Sequence, residues 1–401
     1  MSTGLSSERL KRIDDFLQTN YIDTGKLPGA LTLVARRGEI AHFSALGSMD
    51  VERGKPAKKD TIYRIHSMTK ALTSVALMML YEEGRFQLND PIHNFLPEWK
   101  DTAVLVSGDY PDFVTKPADR DITFRDLLSH QSGLTYGNVE TNGVERAYKK
   151  FMKKDVFDGP LSEWSKAMSK IPLLFSPGTA WNYSYSTDMC GYLVEVISGQ
   201  RFDEFLNERI IEPLGMIDTA FSVPDDKLDR FAANYEPTDD DPLHLEDDPE
   251  TSAYRQHPEF LSGGGGLVST ASDYYSFLQM LLNGGESDGR RYLSRKTIEL
   301  MTANHLSDGQ TLADVAILGQ WSEATFDGVG FGLGFSVLLD PATSQIPGSA
   351  GQYAWGGAAS TAFWIDPVEE LILIFMTQLK PSTTYPIRRE LQVLVNAAID
   401  D

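Results

Sequence analysis

The stretch that decides the fold is Tyr63-Arg-Ile-His-Ser-Met-Thr-Lys70, which continues as Ala71-Leu-Thr-Ser-Val-Ala-Leu-Met-Met-Leu80. No glycine or proline follows Met68 until Gly84, and apolar residues recur at helical spacing. We therefore expect a buried helix that begins at or just before Ser67. Side chains three residues apart lie on one face of a helix, so Lys70 is predicted to lie beside the Ser67 hydroxyl.

This placement of Ser67 and Lys70 has chemical consequences. The first turn of a helix has free N–H groups and the positive end of the dipole, which disfavour an ammonium. A partly desolvated Lys70 is expected to give up its proton readily and to take one from Ser67. The alternative for this stretch alone is a serine cap with a surface lysine, because a chain of this length contains a Ser-x-x-Lys by chance roughly once.

Composition and charge limit the classes of protein. The chain has 401 residues, of which 41% are hydrophobic, enough for one two-lobed unit or two domains with a sizeable core. Its 57 acidic and 36 basic residues give a formal net charge of −21. Nucleic acids and anionic membranes require a basic face on the protein. We therefore expect neither as a partner.

The expected compartment is the cytoplasm. Residues 1–12 lack the apolar run of a secretory signal, and no apolar segment is long enough to span a bilayer. A single cysteine, Cys190, allows no internal disulfide and suits a reducing compartment. Because Cys190 lies in an apolar helical stretch, we expect a buried, inert thiol.

Strand patterns occur at both ends of the chain, and helical patterns occur between them. The predicted strands are two within 29–47, around an Arg37-Gly38 turn, and three at 331–339, 359–365 and 371–377. The predicted helices include a first one capped by Ser6 or Ser7, a short one after Thr123, 187–198, 202–211, one from Thr270 to Leu282, and a last one after Thr384.

This order predicts an α+β fold in which both chain ends share one antiparallel sheet flanked by helices. We expect an α/β domain of residues 1–84 and 262–401, and an inserted, mainly helical domain of residues 85–261. A pocket between two such lobes is the expected location of a functional site.

Several other patterns are set aside. The acidic run within 239–248 does not have the spacing of an EF-hand loop and predicts a surface loop. Gly263–Gly266 are not followed by Gly-Lys-Ser/Thr, so they do not form a phosphate-binding loop. The sequence contains no His-Glu-x-x-His. Its one Gly-x-Ser-x-Gly, residues 285–289, follows the helix predicted from Thr270 to Leu282, whereas the nucleophile turn of an α/β-hydrolase follows a strand. We expect no metal and no cofactor, and for His130 a structural role at a helix end.

Three motifs occur in a characteristic order: Ser67-Met-Thr-Lys70, Tyr183-Ser-Tyr185 and Trp355-Gly-Gly357. With them the chain resembles the serine β-lactamase and penicillin-binding-protein superfamily, and within it most of all the family VIII carboxylesterases, relatives of class C β-lactamases. Stretches that support the resemblance are 127–134, 213–216 and 263–270. The resemblance covers nearly the whole chain and implies a β-lactamase-like fold.

The resemblance implies a role for each motif residue. Ser67 would be acylated by the substrate, and Lys70 would hold or accept its proton. Tyr183 would be the companion base and the proton donor to the leaving group; which of Lys70 and Tyr183 is the base stays open. The backbone N–H groups of Ala358 and Ser67 would form the oxyanion hole. The small Gly356 and Gly357 would let the substrate lie against the strand edge.

Two departures from β-lactamases indicate the substrate class. Tyr185 replaces an asparagine that grips the side-chain amide of a β-lactam, and Trp355 replaces a lysine that meets the carboxylate. Aromatic surface in place of polar anchors favours a neutral short-chain ester, a small molecule. The alternatives are a β-lactamase or D-Ala-D-Ala peptidase, an acyltransferase of the same fold, and a catalytically silent binding module.

Overall fold

The computed structural model of the protein describes residues 3–137, 140–152, 157–317 and 326–401. Its strands are β1 (Gly29–Arg36), β2 (Glu39–Asp50), β3 (Lys55–Pro56), β4 (Tyr63–Arg64), β5 (Ala103–Ser107), β6 (Val114–Pro117), β7 (Asn234–Glu236), β8 (His244–Asp247), β9 (Val268–Ser269), β10 (Glu286–Ser287), β11 (Arg290–Arg291), β12 (Val329–Phe331), β13 (Ser336–Leu338), β14 (Tyr353–Gly356), β15 (Ala362–Asp366) and β16 (Leu371–Met376).

The α-helices follow the same chain order. They are α1 (Ser7–Leu17), α2 (Thr69–Glu82), α3 (Phe124–Leu128), α4 (Gly143–Phe151), α5 (Leu161–Met168), α6 (Ser186–Ser198), α7 (Phe202–Leu206), α8 (Ala271–Leu282), α9 (Arg295–Met301), α10 (Leu312–Val315), α11 (Pro341–Ser344) and α12 (Ile387–Asn396). Among the described residues, none of these helices has both the length and the apolar character that crossing a bilayer requires.

The main sheet has eight antiparallel strands in the order β12-β13-β14-β15-β16-β1-β2-β3. The two chain ends meet where β1 pairs with β16, with Leu31 opposite Met376 and Arg36 opposite Leu371. The predicted α+β fold, with one antiparallel sheet built from both ends of the chain, is confirmed.

Both faces of this sheet are covered, which explains why β1, β15 and β16 are buried along their whole length. On one face, Leu371, Leu373 and Phe375 pack with α1 and α12, through Ile13, Leu391 and Val395 among others. On the other face, Ile372, Ile374 and Met376 belong to the large core around α2. The alternation follows from the two-residue period of a strand.

Helix α2 is the centre of this large core. Every residue from Thr69 to Leu80 is buried. A 3₁₀ turn, His66–Met68, leads into the helix, so helical structure begins just before Ser67, as expected. The apolar cluster runs without a break from the sheet through α2 into helices of the inserted segment. The division into two domains stays a prediction.

Three sequence expectations differ from the structure in detail. The strand predicted over 331–339 is split into β12 and β13, because Gly334, with φ 101°, passes so close to α2 that a Cβ there would lie 2.3 Å from Ser74 Oγ. The strand predicted from 359 begins at Ala362, since Ser360 turns the chain with φ 66°. The acidic loop 239–248 contains β8, which pairs with β7.

Candidate active site

The Ser67 hydroxyl and the Lys70 ammonium lie next to each other at the start of α2. Lys70 Nζ donates to Ser67 Oγ at 3.2 Å and to the carbonyl oxygen of Gly264 at 2.6 Å. The Lys70 side chain is almost fully buried, with 1% exposure. His66, immediately before the serine, has the unusual φ of 42°. The sharp turn there places the serine at the start of the helical segment with its neighbour Lys70 directed at it.

Two aromatic rings surround the ammonium. Lys70 Nζ lies 4.6 Å from the centroid of the Tyr183 ring and 5.4 Å from that of Tyr136. The face of an aromatic ring attracts a cation, so these rings offset part of the desolvation of Lys70. Tyr136 belongs to none of the three sequence motifs. It follows the short capped helix α3 closely in sequence, and the fold brings it to the site.

A buried carboxylate, Asp188, supports Lys70 from behind. Its Oδ1 accepts hydrogen bonds from Ser262 Oγ at 2.5 Å and from the backbone N–H of Gly264 at 3.1 Å. Asp188 thereby holds the segment whose carbonyl oxygen, Gly264 O, accepts a hydrogen bond from Lys70. Burial raises the pKa of Asp188, while the nearby Lys70 ammonium acts to lower it. The one sequence signal for Asp188 is its place in the first turn of α6, which is also an ordinary place for a carboxylate.

Tyr183 packs against Trp355 and Trp181, and these three residues form what we call the aromatic wall. Its phenol oxygen accepts a hydrogen bond from Trp355 Nε1 at 3.1 Å, and the two ring centroids are 5.2 Å apart. Trp181 stacks on the other side at 6.2 Å. Tyr183 is only 6% exposed. The structure therefore brings the first residue of the second motif and the first residue of the third motif into direct contact beside Lys70.

His130 packs against this wall and is itself buried. Its ring centroid lies 4.9 Å from that of Tyr183, and its Nδ1 lies 3.2 Å from Ser184 Oγ. Burial, together with the charge of Lys70, places the pKa of His130 well below its ordinary value, so the ring is neutral at neutral pH. Its backbone N–H bonds to Leu127 O at 3.2 Å, which closes the end of α3. These contacts agree with the structural role expected for His130.

The Trp355-Gly-Gly357 segment crosses next to the nucleophile turn. A Cβ on Gly357 would lie 2.5 Å from the carbonyl oxygen of Ile65 and 2.3 Å from Thr361 Oγ1. A Cβ on Gly356 would lie 2.6 Å from Thr361 O. Both positions therefore require glycine, and the close approach puts Ala358 in the turn that lies against the segment carrying Ser67. The role of the Ala358 N–H in an oxyanion hole stays a prediction.

Arg388, on α12, orients this turn from the opposite side. Its Nη2 donates to the carbonyl oxygens of Gly357 at 2.8 Å and Thr361 at 3.0 Å. The backbone N–H of Ser360 also donates to Gly357 O, at 3.1 Å. In a trans peptide the C=O and the following N–H point in opposite directions. By holding the Gly357 carbonyl, Arg388 sets the direction of the Ala358 N–H.

Tyr185 lies deeper than expected for a residue that lines a pocket. It is 2% exposed, and its ring packs edge-on against Tyr136 with centroids 4.4 Å apart. Trp164 and Tyr148 complete the surrounding aromatic cluster at 6.0 and 6.1 Å. Tyr136 also contacts Tyr183, at 5.3 Å. Direct contact of Tyr185 with a substrate stays a prediction, whereas its contact with Tyr136 connects it to the site.

The last candidates are the Cys190 thiol and groups of metal-ligating side chains. Cys190 is buried in α6, and burial raises the pKa of its thiol. Within the described ranges, no three His, Cys, Asp or Glu side chains are grouped so that they could hold a metal ion.

Comparisons with known proteins identify the family. The Beta-lactamase family model matches residues 13–397. Protein Rv1367c of Mycobacterium tuberculosis is 37% identical over 362 residues, which cover 90% of this chain and 88% of the relative. Esterase EstB of Burkholderia gladioli is 30% identical over 372 residues, 88% of this chain and 86% of EstB.

A solved structure agrees with these relatives. EstCE1, described as a hydrolase with promiscuous acyltransferase activity, superimposes with a TM-score of 0.79 at 25% identity and covers 98% of this chain and 99% of its own. The fold, the order of the motifs and these likenesses agree. The chain belongs to the beta-lactamase family and has the family VIII esterase-like form of its fold.

Proposed function

We propose that the protein is a carboxylesterase that cleaves short-chain esters through an acyl-enzyme on Ser67. The observation that carries this proposal is the 3.2 Å contact between Ser67 Oγ and the buried Lys70 Nζ, which also lies 4.6 Å from the centroid of the Tyr183 ring. A serine and a desolvated amine in hydrogen-bond contact form a nucleophile and its base. The likeness to EstB and EstCE1 supports the ester as substrate.

Acylation would use these groups in the following order. Ser67 Oγ attacks the carbonyl carbon of the ester, and its proton passes to the deprotonated member of the Lys70–Tyr183 pair, which is either the Lys70 amine or the Tyr183 phenolate. The carbonyl oxygen becomes an oxyanion that the N–H groups of Ser67 and Ala358 stabilise. When the tetrahedral intermediate collapses, the C–O bond to the alcohol breaks and Tyr183 returns a proton to that oxygen. Water then attacks the acyl-enzyme by the same steps in reverse and releases the acid and Ser67.

The third motif supports esters over β-lactams. A β-lactam needs its carboxylate held, and a site that hydrogen-bonds such a group discriminates strongly in its favour. Here Trp355 occupies that position, and its one N–H group is directed at Tyr183. An acidic chain, with a net charge of −21, does not attract an anionic substrate either. A neutral small-molecule ester is therefore the proposed partner, and the single, buried Cys190 supports a cytoplasmic location.

Acyl transfer to an alcohol other than water is the second candidate. The description of EstCE1 as a hydrolase with promiscuous acyltransferase activity favours it. The partly exposed rings of Tyr136 and Trp355, which pack against the apolar cluster beside the catalytic residues, give an alcohol an apolar surface to bind. Transfer of the acyl group to an alcohol is faster than hydrolysis when the bound alcohol excludes water from the acyl-enzyme.

One pair of substrates tests the proposal. On one preparation, kcat/KM for p-nitrophenyl butyrate is expected to exceed that for nitrocefin by far, and an added short-chain alcohol should divert part of the butyryl group into a new ester. Parity with nitrocefin, or a preference for it, would assign the protein to the β-lactamases instead. A Ser67→Ala variant is the control for background hydrolysis and should lose both activities.

A further inference from the structure

Four consecutive glycines, Gly263–Gly266, pass beside the site, and close packing explains three of them. A Cβ on Gly263 would lie 2.8 Å from Thr187 O. On Gly264 it would lie 2.4 Å from Asp188 Oδ2, and on Gly266 it would lie 2.9 Å from the Phe221 ring. A side chain at any of these three positions would displace a neighbour, so glycine is required there by the fold.

Gly265 has no such requirement. Its φ lies outside the left-handed region, and the nearest heavy atoms to a Cβ built on it are His66 C at 3.8 Å, Cα at 3.9 Å and O at 4.0 Å, all ordinary contacts. Every other glycine in the described part of the chain has either a left-handed φ or a heavy atom within 3.1 Å of its Cβ position. Since a glycine that could be alanine gives the unfolded chain needless freedom, folding alone does not account for Gly265.

Gly265 lies next to the peptide bond that leads into Ser67, so the space that its lack of a side chain leaves open is close to the nucleophile. The nearest atom to the Cβ position, His66 C, is the carbonyl carbon of the peptide bond that leads into Ser67. The preceding carbonyl, Gly264 O, accepts the hydrogen bond of Lys70. Gly265 itself is partly exposed. A side chain at this position would therefore extend into the open space next to the nucleophile.

Gly265 and the aromatic residues of the site have different packing partners. Tyr183 and Trp355 pack with the apolar cluster around Trp181 and Phe331. Gly265 is contacted by Tyr254, whose hydroxyl donates to Gly265 O at 3.5 Å and whose ring packs with a separate cluster around Ile62, Val223, Phe231 and Val268.

The tetrahedral carbon on Ser67 Oγ has three other substituents. The oxyanion is directed at the backbone N–H groups, and the leaving oxygen is directed at Tyr183, its proton donor. The acyl chain must take the third direction. We propose that the acyl chain lies over Gly265 and the His66 backbone, so that the absence of a side chain at position 265 determines which acyl lengths are accepted. This inference rests on the proposed esterase function.

The test keeps the leaving group constant and varies the acyl chain. Gly265→Ala, Gly265→Val and Gly265→Leu are assayed with p-nitrophenyl acetate, butyrate and octanoate. We expect the valine and leucine variants to retain activity on the acetate while the ratio of kcat/KM for butyrate over acetate falls about tenfold or more, since a pocket that is too small by a methylene discriminates on that scale. A series of butyrates with different alcohols should keep its wild-type ratios.

Two variants control for a general loss of structure. Gly265→Ala has room for its methyl group, so its melting temperature should match or exceed that of the wild type, and a reduced octanoate-to-acetate ratio is still expected. Gly264→Ala adds the same methyl group one residue away, against Asp188, and should lower kcat for all acyl lengths alike. Because the readout is a ratio of substrates on one preparation, partial unfolding does not affect it.

Each result decides the question. Unchanged acyl ratios in folded Gly265 variants, or a changed ratio in the alcohol series only, would overturn the assignment of this surface to the acyl chain. These results would leave the esterase function intact, since wild-type hydrolysis of p-nitrophenyl butyrate is measured in the same experiment. If the wild type itself hydrolysed no ester, the proposed function would fail first.

Discussion

Replacing Arg388 tests how the fold holds the oxyanion turn. Its Nη2 donates to Gly357 O and Thr361 O, and it contacts that turn from the sheet face opposite Ser67. Removing an oxyanion donor outright costs about a hundred- to a thousandfold in kcat. Arg388→Ala leaves the Ala358 N–H in place but removes the hydrogen bonds that fix its direction, which are worth about 1.5–3 kcal/mol each. We therefore expect a smaller loss in kcat, of about ten- to a hundredfold. KM should change little, because the oxyanion forms only in the transition state.

A neighbouring residue provides the matched control. Arg389 also lies on α12, and its Nη2 donates to a backbone carbonyl, Ser344 O, at 2.9 Å, away from the site. Arg389→Ala should therefore lose a comparable hydrogen bond with kcat unchanged. The assay is p-nitrophenyl butyrate hydrolysis, with binding of a trifluoromethyl ketone as a transition-state analogue. If Arg388→Ala kept the wild-type kcat, or raised KM without lowering kcat, the proposed role of Arg388 would be refuted.

Three further predictions concern the groups around Lys70. Lys70→Ala and Tyr183→Phe should each reduce kcat by several powers of ten, and the double variant should be little worse than the poorer single one; additive losses would show independent action. Trp355→Phe deletes the N–H group directed at Tyr183 and should lower kcat about fivefold, the value of one hydrogen bond, with little change in melting temperature. Burial raises the pKa of Asp188 above its ordinary 3.8, so the native state binds this proton more tightly than the unfolded state does. Wild-type stability relative to Asp188→Asn should therefore fall as pH rises through the interval above 3.8, and melting temperatures of both proteins measured across that interval check the sign.

The parts of the fold that local sequence determines were predictable. The apolar run after Met68 and the spacing of Ser67 and Lys70 identified the central helix and the pair of reacting groups. The apolar strands near both ends predicted one shared sheet. The caps were also predictable: Ser6 accepts from Arg9 N at 3.3 Å, and α6 ends at Gly199 with φ 77°. Each of these helices, strands and caps is determined by residues that are close together in sequence.

The residues that were missed act across long separations in sequence. Asp188 reaches Gly264, 76 residues away, and Arg388 reaches Gly357, 31 residues away. An aspartate in the first turn of a helix and an arginine on a terminal helix are ordinary in sequence, and only the fold shows what they hold. Gly334 divides a predicted strand for the same reason, because its need for glycine comes from Ser74 on another element.

The most direct test of Ser67 as the nucleophile is the mass of the protein after reaction with a p-nitrophenyl alkylphosphonate ester. Such a reagent phosphonylates the activated nucleophile and releases p-nitrophenol. We predict a single adduct, located by peptide mapping on Ser67, that does not form on Ser67→Ala and forms much more slowly on Lys70→Ala. An adduct on another residue, or equal labelling of Ser67→Ala, would contradict the assignment of Ser67 as the nucleophile.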